Sequence, residues 1–306
     1  MNWNGVMPAM TTAFHPDFGV DYATIRRHAQ WLVENGCTGI ICLGSLGEAA
    51  TLNFNEKVGI LKEVIGAVGN NVPVVSAISA LSTAEAVELA KAAHATGCSG
   101  LMILPQYVYK GDWRENKAHV AAILKATPLP GMLYNNPVAY GVDFLPDQIE
   151  ELAVEFSNFA AVKESSTDVR RVTAIRALLG DRLAIFVGVD DAIVEGIAAG
   201  AVGWVAGLVN AFPRESVDLF NLATAGKTEE AFALYCWFLP LLRMDTVPKF
   251  IQLIKQVQHE AGIGCARVRA PRLELVGKEL EETRAALRIA QANRPAVAVP
   301  STPFHP

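Results

Sequence analysis

The chain has 306 residues, is rich in apolar residues and is weakly acidic. Hydrophobic residues make up 51% of it and charged residues 19%, so it can bury a large core and lacks the composition of a disordered protein. The net charge of −5 does not favour binding to nucleic acid or to an anionic membrane surface, because both need clusters of Lys and Arg.

The cysteines and the first residues of the sequence indicate a cytoplasmic protein. The number of cysteines is odd, and no two of them form a C-x-x-C motif; they are Cys37, Cys42, Cys98, Cys236 and Cys265. We therefore expect reduced thiols that pack as small apolar side chains. No apolar run approaches the ~18 residues of a membrane span. The basic and then apolar segments of a signal peptide are also missing.

Short apolar runs that favour strands alternate with amphipathic segments about every 25 residues. The first helical segments have the 3.6-residue period of surface helices and are Tyr22–Asn35, Asn55–Val68, Thr83–Thr96 and Arg114–Ala126. The predicted strands are Gly5–Thr12, Gly39–Leu43, Pro73–Ala77, Gly100–Leu104, Gly131–Tyr134, Phe159–Lys163, Ala184–Val187 and Gly203–Val205.

This alternation predicts an α/β fold in which eight strand–helix units close into a (β/α)8 TIM barrel. The main rival is an open, doubly wound sheet. Such a sheet usually carries G-x-G-x-x-G after its first strand, but the segment M-T-T-A-F-H-P-D-F-G at residues 10–19 has no such motif. The barrel is therefore the predicted fold.

After residue 210 only helical patterns continue, so we predict a catalytic barrel over residues 1–225 and a C-terminal helical region over 226–294. Residues 295–306 are rich in Pro and have no periodicity, which predicts a loosely ordered tail. The helix that completes the barrel and the three that follow it are predicted at Ala211–Ala225, Thr228–Arg243, Val247–Ala261 and Pro271–Asn293.

In a barrel of this kind the chemistry gathers at the carboxyl ends of the strands. Those ends lack histidine, and the six histidines elsewhere have no metal-ligand spacing. The G-x-S-x-G motif of a Ser-His-Asp hydrolase is also missing. We therefore expect neither a metal-dependent barrel nor a Ser-His-Asp hydrolase. The strand ends supply Ser45, Leu46, Ser79, Tyr107, Tyr134, Lys163, Gly188, Asp190, Val205 and Gly207.

Lys163 ends an apolar strand, where an ammonium group is costly unless it has a partner or a chemical role. Desolvation lowers the pKa of an amine, so a buried lysine can attack a ketone and form a Schiff base. A phenol beside the amine, from Tyr107 or Tyr134, can shuttle the protons that this reaction needs. The alternative is a structural ion pair with Glu164.

Six motifs in order resemble the dihydrodipicolinate synthase / N-acetylneuraminate lyase family of class I barrel lyases. The resemblance extends from about Asn4 to Asn293. The motifs are G-S-L-G-E-A-A-T-L (Gly44–Leu52), L-P-Q-Y-V-Y with Tyr107, L-Y-N-N-P (Leu133–Pro137), V-K-E-S-S (Val162–Ser166), V-G-V-D-D (Val187–Asp191) and V-P-K (Val247–Lys249).

The resemblance implies a role for each matching position. Lys163 would form a Schiff base with a small 2-oxo acid, Tyr134 would shuttle protons, and Ser45 would link Tyr134 to Tyr107. The electron sink would be the covalent imine itself, without a cofactor. In many relatives the residue at Tyr107 reaches the neighbouring subunit, which implies a homodimer or homotetramer. The positions implied to bind substrate are Leu46, Tyr140, Gly188 and Val205.

Two departures from the family pattern bear on the reaction. Leu46 stands where a Thr usually helps to hold the substrate carboxylate, and the stretch 138–141 lacks the Arg that pairs with aspartate semialdehyde in the synthases. Both departures favour the branch that dehydrates or deaminates small hydroxy acids. A 4-hydroxy-tetrahydrodipicolinate synthase, or a barrel that binds a 2-oxo acid without catalysis, remain the alternatives.

Three acidic positions are predicted to be structural. Asp190 and Asp191 stand where a helix begins, so N-capping is their expected role. Glu48 is expected to accept hydrogen bonds within its own loop.

Overall fold

The computed structural model describes residues 1–68, 71–296 and 299–304, and eight parallel strands in it alternate with helices. The strands pair in the order β1-β8-β7-β6-β5-β4-β3-β2. They are β1 (Gly5–Pro8), β2 (Ile40–Cys42), β3 (Val74–Ile78), β4 (Gly100–Ile103), β5 (Gly131–Asn135), β6 (Phe159–Glu164), β7 (Ala184–Val187) and β8 (Gly203–Ala206).

The sheet curls until its first and last strands meet. β1 pairs with β8 in parallel from Gly5↔Gly203 to Pro8↔Ala206. β1 approaches β2 through a single bridge, Ala9↔Ile41, beside a 2.8 Å hydrogen bond from the Met10 N–H to the Ile41 carbonyl. The predicted (β/α)8 TIM barrel is thus confirmed, and its weakest seam lies between β1 and β2.

The first strand is shorter than predicted, since β1 ends at Pro8 and the prediction ran to Thr12. Beyond this point the backbone finds partners in loops. The Thr11 N–H bonds the side chain of Asn210 at 3.2 Å, and the Thr12 hydroxyl bonds the Gly47 carbonyl at 2.7 Å. These residues are buried without extending the sheet, which explains why their pattern resembled a strand.

Polar residues fix the starts of several helices around the barrel. Asp21 accepts a hydrogen bond from the Thr24 N–H, and Asp112 and Glu115 form a reciprocal capping box. The helices up to the completion of the barrel are α1 (Tyr22–Glu34), α2 (Phe54–Val68), α3 (Thr83–Thr96), α4 (Trp113–Ala126), α5 (Pro137–Tyr140), α6 (Pro146–Glu155), α7 (Arg170–Leu179), α8 (Ile193–Ala198) and α9 (Pro213–Thr224).

Three further helices follow the barrel: α10 (Thr228–Leu242), α11 (Phe250–Glu260) and α12 (Gly277–Ala292). The last helix begins later than the predicted Pro271, because Val276 is extended with φ −138° and ψ 161°. None of the described helices is long and apolar enough to cross a membrane. The division of the chain at residues 225 and 294 stays a prediction.

Part of the segment that was predicted as a loosely ordered tail packs on the barrel. The Thr302 carbonyl accepts a 2.7 Å hydrogen bond from the Trp31 indole, and the Thr302 hydroxyl accepts one from the Asn35 amide at 2.8 Å. Phe304 packs edge-on against Trp31 with ring centres 5.8 Å apart. These bonds hold the described end of the tail on α1. Residues 297, 298, 305 and 306 lie outside the described residues.

Candidate active site

Lys163 lies at the carboxyl end of β6 with only 6% of its surface exposed. The expected alternative, an ion pair with Glu164, does not form. Glu164 instead accepts hydrogen bonds from the Asn135 amide at 3.0 Å and from the Ser166 N–H at 2.6 Å. Within residues 1–68, 71–296 and 299–304, no carboxylate lies within 4.0 Å of the Lys163 amine. The amine is therefore buried without an ion-pair partner.

Tyr134 stands beside this amine because its strand β5 pairs with β6 in register, Tyr134↔Lys163. The Lys163 Nζ atom is 4.0 Å from the centre of the Tyr134 ring, which places the amine over the aromatic face. The Tyr134 hydroxyl accepts a 3.0 Å hydrogen bond from the Asn136 side chain. The phenol is thus held within reach of a group bound to the amine.

Tyr140 joins Ser45 and Tyr107 in a cluster of hydroxyl groups. Its ring centre lies 5.6 Å from that of Tyr107 and 5.7 Å from that of Tyr134. The Tyr140 hydroxyl is hydrogen-bonded to the Ser45 hydroxyl. The link between the phenols that was expected through Ser45 alone therefore includes Tyr140. Tyr107 lies in the site of its own chain.

Burial controls the protonation of these phenols. It raises the pKa of Tyr107 above its usual value and raises that of Tyr140 well above it, where the neighbouring phenols Tyr134 and Tyr107 act in the same direction. Both groups are therefore neutral hydrogen-bond donors near neutral pH. Such donors can hold an anionic group of a ligand without adding a net charge.

Gly188 follows β7 and makes room for the lysine. A Cβ atom at this position would lie 2.0 Å from the Ser165 Oγ atom and 2.5 Å from the Lys163 Cε atom. No side chain larger than hydrogen fits there unless Lys163 moves. The predicted substrate-binding position is thus also a packing requirement of the lysine.

Leu46 and Val205 are the other two predicted substrate-binding positions. Leu46 is 3% exposed and Val205 is 1% exposed, and both belong to the buried apolar core. The loop that carries Leu46 is anchored by residues that are distant in sequence. The Glu48 carboxylate accepts hydrogen bonds from the Lys255 ammonium and the Arg269 backbone N–H, at 2.8 and 3.0 Å. Glu48 also bonds within its own loop, as expected, but through its carbonyl, which accepts a 2.9 Å hydrogen bond from the Thr51 hydroxyl.

Asp190 does not cap a helix, contrary to the expectation. Its buried carboxylate accepts hydrogen bonds from the Trp204 indole at 3.0 Å and from the N–H groups of Gly207 and Leu208, at 3.1 and 2.9 Å. Burial raises its pKa to about 6, and these donors, together with the charge of Lys163, oppose the rise. Asp190 thus joins the ends of β7 and β8.

Two residues near the barrel mouth were not found from the sequence. Asp245 lies in a short 3-10 turn after α10, and its Oδ1 atom is buried with no hydrogen-bond partner among the described residues. Lys110 follows Tyr107 by three positions, and its Nζ atom would lie 2.4 Å from a Cβ on Gly141. A lysine therefore stands beside the loop whose own residues 138–141 carry no cation. Each contact joins segments that are distant in sequence, and no local pattern marks it.

A cavity of about 480 Å³ lies elsewhere, between the C-terminal helices. It is lined by Met244, Val247, Pro248, Lys249, Leu253, Leu275, Glu279, Glu282 and Thr283. The residues lining it include neither Lys163 nor the phenols. The candidate site around Lys163 and this cavity therefore do not share Lys163 or the phenols as lining residues.

The similarities to known proteins agree with the barrel fold. The chain matches the dihydrodipicolinate synthetase family over residues 2–290. It is 32% identical over 293 residues to the 4-hydroxy-tetrahydrodipicolinate synthase of Alkalilimnicola ehrlichii, which covers 94% of this chain and 99% of that protein.

Two solved structures show the same fold over nearly the whole chain. The 4-hydroxy-tetrahydrodipicolinate synthase of Methylacidiphilum fumariolicum has a TM-score of 0.92 at 27% identity, covering 95% of this chain and 97% of that one. The chloride-inhibited dihydrodipicolinate synthase of Acinetobacter baumannii, solved with pyruvate, has a TM-score of 0.89 at 29% identity, covering 95% and 99%. The chain therefore belongs to the dihydrodipicolinate synthetase family, and it is an enzyme of that family.

Proposed function

We propose that this enzyme is a Schiff-base lyase that dehydrates or deaminates a small hydroxylated 2-oxo acid or the corresponding cyclic imine. The observation that carries the proposal is the buried Lys163 amine, which has no ion-pair partner among the described residues and lies 4.0 Å from the Tyr134 ring. An amine in such surroundings is a nucleophile toward ketones. The dihydrodipicolinate synthetase family supports a lyase.

The reaction begins when the Lys163 amine, after loss of a proton, attacks the C2 ketone and forms a carbinolamine. The Tyr134 phenol is placed to pass a proton to the departing hydroxyl, which leaves as water and yields an iminium. The iminium draws electrons from the neighbouring C3–H bond, so this bond can break at moderate cost. A hydroxyl or amino group on C4 is then eliminated, and water releases the product from the lysine.

The substrate carboxylate is proposed to bind the hydroxyl cluster. Ser45, Tyr107 and Tyr140 supply neutral donors, and they compensate for the hydroxyl that Leu46 does not provide. Hydrogen bonds to a charged group contribute ~1.5–3 kcal/mol each. Tyr140 packs against the rings of Tyr107 and Tyr134, and we infer that it narrows the site, which supports a single small hydroxy acid over a condensation.

The second candidate is a 4-hydroxy-tetrahydrodipicolinate synthase, which would condense pyruvate with aspartate semialdehyde. The name of the Alkalilimnicola ehrlichii relative favours it, and so does Lys110, whose ammonium could pair with the semialdehyde carboxylate from beside Gly141. In that case Lys110→Ala would raise the KM for the semialdehyde. A hydroxy acid that binds through the phenols would be affected little.

Self-association is part of the proposal. The loops after β3 and β4 meet where the Tyr107 N–H bonds the Ala80 carbonyl at 3.3 Å. They expose large apolar side chains next to Tyr107: Leu81 at 66%, Val108 at 93% and Tyr109 at 58%. A homodimer or homotetramer would cover this surface. Sedimentation velocity on the wild type and on Val108→Lys tests this, because a charge at a dimer interface would shift the protein toward monomer.

The experiment that tests the chemistry is borohydride reduction with pyruvate and a panel of hydroxylated 2-oxo acids, followed by peptide mass mapping. A reduced adduct on Lys163 is expected in the wild type and in Lys249→Arg, a surface lysine bonded to Glu279. It should be lost in Lys163→Arg. If no acid is trapped on Lys163, the protein is a barrel that binds 2-oxo acids without this chemistry. Turnover of pyruvate with aspartate semialdehyde, and of no hydroxy acid, would favour the second candidate.

A further inference from the structure

Two carboxyl groups flank Gly207 at the end of β8. Asp190 accepts a 3.1 Å hydrogen bond from the Gly207 N–H. On the other side, a Cβ atom on Gly207 would lie 2.0 Å from the Asp245 Oδ1 atom, so the Asp245 carboxyl group occupies the space that a side chain would need. In the described part of the chain neither group is within 4.0 Å of the Lys163 amine, but the lysine is near enough to lower the pKa of both.

The two carboxyl groups have unequal surroundings. Asp190 accepts hydrogen bonds from two backbone N–H groups and from the Trp204 indole. The Asp245 Oδ1 atom is buried without a partner among the residues that the structure describes. Donors stabilise a carboxylate, so a negative charge is favoured on Asp190 and a proton on Asp245.

Burial and the neighbouring carboxylates also favour the protonated form of Asp245. Burial raises the pKa of Asp245 well above its usual value, Asp190 and Asp191 raise it further, and Lys163 opposes them. Arg243, on the same turn, pairs with Asp191 at 3.4 Å. Asp245 therefore keeps its proton to a higher pH than an ordinary carboxyl group, because its pKa is raised.

We propose that Asp245 is the acid that protonates the group leaving from C4 of a substrate held as an imine on Lys163. The inference rests on the proposed function, because it requires that imine. The phenols serve the steps at C2 and the carboxylate, but hydroxide and amide ions are poor leaving groups and need a proton of their own. Asp245, whose buried Oδ1 atom has no hydrogen-bond partner among the described residues, meets that need.

The step balances in atoms and electrons. The C3–H bond of the iminium breaks, its electron pair forms the C2=C3 bond of an enamine, and the proton passes to solvent. The enamine electrons then form C3=C4 and restore C2=N⁺ as the C4–O bond breaks. The leaving oxygen takes the proton of Asp245 and departs as water. Asp245 is left as a carboxylate and regains a proton from solvent.

The test compares two substrates that give the same product, 2-oxopent-3-enoate. In 4-hydroxy-2-oxopentanoate the leaving hydroxyl needs an acid, whereas in 4-fluoro-2-oxopentanoate fluoride leaves without one. We expect Asp245→Asn to lower the turnover of the hydroxy substrate by ~10²–10⁴-fold and to leave fluoride release within a few-fold of wild type. Borohydride trapping of pyruvate on Lys163 should be retained.

Asp181→Asn is the matched control, because it removes a surface carboxylate that pairs with Arg176, and both substrates should turn over normally. Equal losses with the hydroxy and fluoro substrates would indicate a structural role and overturn the inference. So would unchanged dehydration in Asp245→Asn, or exclusive cleavage to pyruvate by the wild type. Absence of any adduct on Lys163 in the wild type would instead refute the proposed function, and the inference with it.

Discussion

The amine of Lys163 lies over the ring of Tyr134, 4.0 Å from its centre, at matching positions of two neighbouring strands. Because the strand register fixes both side chains, the phenol stays beside the amine through each step of the reaction. Such pre-organisation lets the phenol act as a proton shuttle without a conformational search.

Tyr134→Phe should therefore lower kcat by ~10²–10⁴-fold while the fold is retained. The ring that packs on Lys163 is preserved, and only the hydroxyl is lost. Steady-state kinetics and the rate of borohydride-trappable adduct formation would measure the effect. Tyr109→Phe is the matched control, since this exposed phenol bonds Glu115 and should change neither quantity. Equal activity in wild type and Tyr134→Phe would assign the shuttle to another group.

Gly188→Ala should impair the site more than the fold. The added methyl group meets the Ser165 hydroxyl and the Lys163 side chain, so the lysine must turn away from Tyr134. We expect adduct formation to fall at least tenfold, measured by peptide mass mapping. Gly66→Ala, where nothing lies within 4 Å of the new methyl group, should be neutral or slightly stabilising. A Gly188→Ala protein that forms adducts at the wild-type rate would show that Lys163 has more freedom than its packing indicates.

Lys255→Met should be strongly destabilising. Lys255 and Glu48 form an ion pair in which both side chains are almost completely buried, at 2% and 0% exposure. Removal of one partner leaves an uncompensated buried charge, which costs about 3–5 kcal/mol in the free energy of unfolding. Urea denaturation measures it, and the double variant Glu48→Gln/Lys255→Met should recover part of the loss. Lys278→Met, which breaks an exposed pair with Glu282, should cost at most about 1 kcal/mol.

His28 should make the protein less stable in mild acid. Its Nε2 atom lies 2.9 Å from the Asn210 carbonyl, and burial lowers its pKa to about 4. The unfolded chain takes up this proton near pH 6.5, so the free energy of unfolding falls by about 3 kcal/mol as the pH drops from there toward 4, and then levels off.

Urea denaturation of wild type and His28→Gln between pH 7 and 4.5 tests this expectation. The variant should lose less stability over this interval, because it has no imidazole to protonate. His94→Gln, at an exposed position of α3, should follow the wild type. Parallel curves for wild type and His28→Gln would mean that other groups cause the acid sensitivity.

Much of the fold was predictable because each strand is a short apolar run and each helix has its own period and caps. Errors occurred where burial comes without regular structure, as at Thr11 and Thr12, whose bonding partners are Asn210 and Gly47. The start of α12 was also predicted too early. Val276, just before this helix, is extended because of tertiary context that a helical sequence pattern does not contain.

The candidate site was predictable where one motif carries one role, as for Lys163, Tyr134, Tyr107 and Ser45. It was not predictable where function depends on segments that meet only in the folded chain. Asp245 reaches Gly207 from a different part of the sequence, and no pattern around either residue marks this contact. The contact of Lys110 with Gly141 is likewise not marked by any local sequence pattern.

The hydrogen bonds between Thr302 and Asn35 join residues 267 positions apart. During synthesis the ribosome must therefore release almost the whole chain before α1 can be tied down on this side. The other edge of β1 must likewise wait for β8, with which β1 pairs from Gly5↔Gly203 to Pro8↔Ala206. Contacts this distant in sequence slow folding. The nascent barrel should thus spend its longest exposed period with one edge of β1 uncovered, which is where a chaperone would be most needed.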